Sequence, residues 1–239
     1  MGFPKEFNDA IESKLNVFAA WLPIANVYEL GDYGIIADGV FAKMGNIKEF
    51  DVSFTEGAGN EAKIDFTSAN TRVINFAAGA QVDVIPDGAA NAQVTFKFDK
   101  ERSFMIKSPS INVKAIQNVN EVGNKLMDHP KWELRFKVVY QTYFAKEAAI
   151  LSTINAGTDV TFTGDVKALQ QLSVGSASVQ FTSNNKLGLD LQGKEGIIGL
   201  GLFQIVKKGL FKKKEKIKVL ASAENELAFL EPEDAKDDL

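Results

Sequence analysis

Cysteine is absent from this 239-residue chain. Disulfides, thiol catalysis, cysteine-bound zinc and palmitoylation are therefore excluded. Histidine occurs once, as His129, which excludes multi-histidine metal sites. His129 stands beside Pro130 with no nucleophile that can be placed near it, so it reads as a helix-end residue and not a catalyst. Long apolar runs are missing too. No window reaches the roughly 20 apolar residues of a membrane-spanning helix, and Leu187 to Val206, which has the length, carries Asp190, Lys194 and Glu195. The first residues carry Lys5, Glu6, Asp9, Glu12 and Lys14, so no signal peptide and a cytoplasmic location are expected. The glycines match neither GxxxxGK[ST] nor GxGxxG, which removes the phosphate-binding loops. Carboxylates are plentiful, but no pair sits in a setting that would separate their pKa values. The expectation is a protein that is not an enzyme and has no cofactor and no metal.

What is present suits a sizeable core: 45% of residues are hydrophobic and 24% charged, an ordinary globular balance. Phe3, Phe7, Ile11, Leu15, Phe18 and Leu22 recur at spacings of three and four, an amphipathic helix expected to end by Pro23. Asp38-Gly39 between Ile35-Ile36 and Val40-Phe41 is a hairpin signal. Strands are expected at Ile64 and Phe66, at Val73 to Phe76, and at Val82 to Ile85. Val94, Phe96 and Phe98 alternate with polar residues, and Phe104 to Ile106 would open the partner strand. Asn118, three residues before Glu121, caps a second helix whose apolar side is Val119, Val122, Leu126 and Met127. Strands are grouped and do not alternate with helices. The fold class expected is α+β: a twisted, largely antiparallel β-sheet with an N-terminal amphipathic helix and a second helix near 118–128.

The chain is organised around Lys131 to Val206. In KWELRFKVVYQTYF, Leu134, Phe136, Val138 and Tyr140 alternate with Arg135, Lys137, Val139 and Gln141, the period of a two-faced strand. LGLDLQGKEGIIGLGLFQIV reads as two strands around a Gly193-Lys194-Glu195-Gly196 turn. Between them, residues 158–183 carry Val160, Phe162, Val166, Val174, Val179 and Phe181 among small and polar residues. That density is too low for a dry core.

Charge is segregated near the end of the sequence. Lys207 to Lys218 holds seven lysines and one glutamate, a local net of +6, and Glu224 to Leu239 holds seven acids and one lysine, a local net of −6. A solvated basic loop followed by a solvated acidic tail is one reading; a tail that lies on the basic segment is the other. Only Phe211 interleaves the lysines and acid follows directly, so nucleic acid is not the expected partner.

In the order of its parts the chain resembles the gasdermin pore-forming domain, including its short bacterial members. The helix NVNEVGNKLMDH followed by WELRFKVVYQTYF, the return strand KLGLDLQGKEGIIGLGLFQIVKK, and the earlier AQVTFKFDKERSFMIKSPSINVKAI carry the likeness, over residues 1–206. The resemblance implies a pore-forming domain over residues 1–220 and a short acidic inhibitory tail over 221–239. It implies a cytoplasmic monomer that, after an activating protease removes the tail, oligomerises at the inner face of the cell membrane. There it would form a β-barrel pore, causing cell death in antiphage defence. Membrane-inserting strands would use Leu134, Phe136, Val138, Tyr140, Val160, Phe162, Val179, Phe181, Leu200 and Leu202. Lys207, Lys208, Lys212, Lys213, Lys214, Lys216 and Lys218 would meet anionic lipid head groups. Leu227, Phe229, Leu230, Glu224 and Glu226 would hold the protein inactive, the apolar residues in a groove and the acids against the lysines. Bacterial members often carry a lipidated N-terminal cysteine. This chain has none, and Phe3 and Phe7 are the residues to fill that space. The alternative function is a non-lytic protein-interaction module that uses its sheet and basic loop.

Overall fold

The computed structural model describes residues 3–89, 92–170, 177–207, 219–220, 225–232 and 238. In chain order the elements are α1 (Phe3–Leu15), β1 (Phe18–Ala19), β2 (Asp32–Ala37), β3 (Val40–Asn46), β4 (Glu56–Ala58), β5 (Ala62–Thr67), β6 (Thr71–Ala77), β7 (Ala80–Val82), β8 (Ala92–Phe98), β9 (Phe104–Ile116) and α2 (Val119–Met127). There follow β10 (Lys137–Thr153), β11 (Thr158–Gly164), α3 (Val166–Gln170), β12 (Val179–Ser183), β13 (Leu187–Lys207), β14 (Val219–Leu220) and β15 (Asn225–Leu230). The fold is α+β and largely antiparallel, as expected. It forms two compact units, one of residues 1–60, 112–144 and 197–239, the other of residues 61–111 and 145–196. The compact units therefore do not divide at 220/221.

In the first unit the strand order is β14-β15-β13-β10-β2-β3, with β1 on β13 and β4 on β9. Helix α1 buries Phe7, Ala10 and Ile11, the i, i+3, i+4 face of its pattern. It ends at Leu15, not near Pro23. Asn16 turns left-handed (φ 53°), and its N–H closes on Glu12 O at 2.8 Å, a C-terminal cap that stops the helix. Phe18 therefore lies in β1, buried opposite Leu200, while Leu22 is exposed. The Asp38-Gly39 hairpin forms as expected. Ala37 faces Val40, and both turn residues take positive φ, 52° and 74°, the pair of left-handed conformations that a two-residue hairpin needs.

Helix α2 stands where its pattern puts it, with Val119, Val122 and Leu126 buried. Its cap works differently. Asn118 makes no side-chain bond to the helix backbone. Its Oδ1 accepts from Thr55 N at 2.8 Å and its Nδ2 donates to Glu121 at 3.0 Å, so it ties the helix start to the segment before β4. Tyr33, Phe50, Trp132 and Phe136 form a packed aromatic cluster with centroids 5.0–5.9 Å apart. The His129 ring packs against Phe50 with centroids 4.8 Å apart and the planes tilted by 56°.

In the second unit the order is β12-β11-β8-β6-β7, and β5 pairs with β9. Strand β8 lies at the centre of that sheet: Phe96 faces Val73 on one side and Val160 on the other. Val94, Phe96 and Phe98 are all buried as expected, but Thr95 between them is buried too, and Gln93 and Lys97 are half-buried. Strand β9 is not its partner, however; Met105 and Ile106 pair with Thr67 and Phe66 of β5. Strand β11 is more core-like than the composition of residues 158–183 suggests, while β12 is half-buried and Val174 lies outside the described residues. Val160 and Phe162 are fully buried in a cluster with Phe96 and Phe98 of the neighbouring strand, because Met105, Ala149, Leu151 and Leu169 pack in the same cluster. Strand β7 ends at Val82, before the expected end at Ile85.

Two further expectations are corrected here. Leu134 and Phe136 precede β10 instead of lying in it, and β10 is not two-faced: Lys137, Val138 and Val139 are buried in succession, as are Ala148 to Thr153. Nor is there a turn at Gly193 to Gly196. Strand β13 runs unbroken for 21 residues through it, with Gly193 at φ 60° as a local irregularity inside the strand.

Candidate functional site: the tail strand on its sheet

The segment expected to act as an inhibitory tail is a strand of the first unit. β15 pairs antiparallel with β13, setting Leu202 opposite Leu230, Phe203 opposite Phe229, Ile205 opposite Leu227 and Val206 opposite Glu226. Its other edge meets β14 at Leu227 and Glu226. Backbone pairing supplies the register, and the side chains supply the burial. Leu227 is buried among Val122, Leu126, Phe203 and Ile205, and Leu230 among Phe18, Leu200 and Leu202. The Phe229 ring lies 4.8 Å from that of Tyr140. Burying each such side chain is worth about 1.5–3 kcal/mol.

Gly123 makes the seat for Leu227. A Cβ at that position would stand 2.5 Å from Leu227 Cδ1, closer than carbon atoms pack, so a larger residue would push the leucine tip away from the α2 backbone. Tyr140, against the Phe229 ring, is withdrawn from water. Its pKa is pushed up to about 12, first by burial and then by Tyr143 nearby. Tyr143 is itself raised by burial.

A second anchor lies beyond β15. The Asp238 carboxylate pairs with the Lys137 ammonium, with side-chain exposures of 13% and 3%. The same carboxylate accepts Ile36 N at 2.7 Å, and Asp238 N donates to Ile36 O at 3.0 Å. Lys137 Nζ also donates to Arg135 O at 3.1 Å. The tail is thus held to β2 and the start of β10 as well as to β13. A buried charge needs a partner and hydrogen bonds, and Asp238 supplies both to Lys137.

The residues expected to enter a membrane divide into two sets. Phe136, Val138, Leu200 and Leu202 are buried, and Leu134 and Tyr140 are half-buried, all in the first unit; Gln204 holds Leu134 O at 2.6 Å. In the second unit Val160 and Phe162 are core residues, while Val179 and Phe181 are half-buried and alternate with exposed Gln180 and Thr182. The same alternation runs on into β13, where Leu187, Leu189 and Leu191 are half-buried and Gly188 and Asp190 exposed. The sequence reading of sites missed these three leucines. Their period was visible, but the turn assigned to Gly193 to Gly196 drew attention past them.

Of the lysines expected at lipid head groups, Lys207 ends β13 opposite Asn225. Lys208, Lys212, Lys213, Lys214, Lys216 and Lys218 lie outside the described residues, as does Glu224. Glu226 is buried and has no ion pair among the described residues. No helix among the described residues is long and apolar enough to cross a membrane. Neither a protein-family model nor a curated protein matches the chain.

Proposed function

We propose that this chain is a pore-forming protein held inactive by the strand near its end, and released when a protease removes that strand. The observation that carries the reading is the ladder between β15 and β13. Loss of β15 would bare the edge of β13 from Leu202 to Lys207 and uncover Leu202, Phe203 and Ile205, which Leu230, Phe229 and Leu227 now face. An unpaired strand edge beside apolar side chains is a template for pairing with another chain. Closing such pairings into a barrel satisfies every backbone group, the condition for β-structure in lipid.

The segments best suited to lipid are those with one apolar and one polar face, since a spanning strand needs about 9–11 residues of that pattern. Val179 and Phe181 in β12, and Leu187, Leu189 and Leu191 in β13, show that alternation over five residues each. Leu200 and Leu202 would reach lipid only after rearrangement of the first unit. In this reading the uncut protein is a monomer in the cytoplasm. The cut protein moves to the inner face of the membrane and oligomerises, with the lysines from Lys207 onward near anionic head groups. Cell death as an antiphage defence would follow from opening the membrane.

A second reading draws on the same ladder. A strand as well buried as β15 also suits a constitutive sheet, and the protein would then be a non-lytic interaction module. Dye release from anionic liposomes separates the two, using protein with a protease site inserted at Ala221 to Ala223. Release only after cutting supports the pore. Intact vesicles, with the cut protein folded and its tail dissociated, overturn it.

A further inference from the structure

We propose that Asp238 stands in for a strand residue. It fills the position opposite Ile36 that Arg135 would take, and when it leaves, β10 grows backward to Leu134. The inference rests on no part of the pore reading, and its test uses no membrane.

The position follows from the register. Strand β10 pairs antiparallel with β2, with Val138 opposite Tyr33 and Lys137 opposite Gly34. There β10 begins, although β2 runs on to Ala37. The same register would set Phe136 opposite Ile35, Arg135 opposite Ile36 and Leu134 opposite Ala37. On the other side of β2, Ala37 and Val40 close the two-residue turn and Ile36 faces Phe41. Main-chain bonds alternate along an antiparallel pair, so those of Ile36 point away from β3, to the edge that β10 shares. Asp238 takes both. Ile36 N donates to its carboxylate at 2.7 Å, and Asp238 N donates to Ile36 O at 3.0 Å. One residue thus gives and receives what a facing strand residue would in a hydrogen-bonded pair.

The segment before β10 is patterned for a strand but folded otherwise. Leu134, Phe136 and Val138 alternate with Arg135 and Lys137, yet Phe136 N closes a turn on Glu133 O at 3.0 Å. Lys137 joins that turn to Asp238. Its ammonium pairs with the carboxylate and also donates to Arg135 O at 3.1 Å, the carbonyl that Ile36 N would otherwise meet. Arg135 N has no acceptor among the described residues. Phe136 already lies on the face that pairing would give it, with its ring 5.2 Å from that of Tyr33.

Loss of Asp238 leaves the N–H and C=O of Ile36 unpaired at a residue only 2% exposed, and unmet main-chain groups there are costly. Arg135 is the residue whose register meets them. Growth stops at Leu134, because the next pair would set Glu133 against Asp38, two acids facing each other at the hairpin turn.

Amide hydrogen exchange resolved by NMR on the full chain tests this. In the native protein the Ile36 amide should exchange slowly and the Arg135 amide fast. Asp238→Ala is made together with Asp237→Ala, so that the neighbouring carboxylate cannot replace it. In that variant Ile36 should stay protected, and Arg135 exchange should slow at least about tenfold. A third substitution, Lys137→Met, leaves no ammonium stranded and frees Arg135 O; the same two results are expected there, so a folding defect in the first variant does not decide the outcome. Fast exchange at Ile36 in the triple variant, or an Arg135 amide that stays as fast as in the native chain, would overturn the proposal.

Discussion

Asp238 and Lys137 are 101 residues apart in the chain and form an ion pair that is almost withdrawn from water. Breaking one side of such a pair strands the other charge, at roughly 3–5 kcal/mol. Asp238→Asn should therefore lower the thermal midpoint. The double variant Lys137→Met with Asp238→Asn should recover much of that loss, because no buried charge is then left over. Thermal unfolding of the three proteins checks the order. If the tail restrains activity, Asp238→Asn should also raise dye release by uncut protein.

Leu227 and Gly123 give a prediction in which a sign changes. Alanine in place of a helical glycine ordinarily stabilises by about 0.5–1 kcal/mol. Here the new methyl would meet Leu227 Cδ1, so Gly123→Ala should destabilise the native protein. In a Leu227→Ala background, itself costing about 2–5 kcal/mol, the same change should become stabilising. Denaturant unfolding across this double-mutant cycle measures the coupling. Additive effects would mean that the leucine does not seat on the helix.

Tyr140 supplies a spectroscopic report on the tail. Its folded-state pKa is raised from 10.0 to about 12, so the folded protein keeps the proton that the unfolded chain gives up. That contribution to stability is complete below pH 10 and is lost as pH rises toward 12. Phe229 is part of what shields the ring. Phe229→Ala, or removal of the tail, should shift the tyrosinate titration of Tyr140 downward, with Tyr140→Phe assigning the step. An unchanged titration would show that the tail does not cover this tyrosine.

Legibility in the sequence followed distance along the chain. The α1 face of Phe7 and Ile11, the Asp38-Gly39 hairpin and the buried Val94, Phe96 and Phe98 of β8 are local patterns, and each stands in the structure as read. The tail residues Leu227, Phe229 and Leu230 were legible as apolar residues in an acidic stretch, though not as a strand. Gly193 misled because a left-handed glycine inside a strand and one in a turn look alike until the partner strand is known. Lys137 misled for another reason. Alternation assigned it to a wet face, and only a carboxylate from the far end of the chain makes its burial affordable. Val160 and Phe162 owe their dryness to Met105, Ala149, Leu151 and Leu169 from distant parts of the chain, which composition does not report.

The alternating leucines of β13 give the most direct test of where the protein would meet lipid. Leu187, Leu189 and Leu191 share one face, and Asp190 lies on the other. Lysine on the lipid face of a barrel strand costs about 2–4 kcal/mol near the bilayer midplane, while residues on the lumen face tolerate charge. Leu189 is only half-buried in the present fold, so Leu189→Lys should leave the uncut protein folded. After cutting, it should suppress dye release strongly, whereas Asp190→Lys should release dye at close to the native rate. Circular dichroism of the uncut variants guards against a folding defect. Equal release by the two variants would remove this strand from the membrane-facing wall, and the Leu200 and Leu202 face would be the next to test.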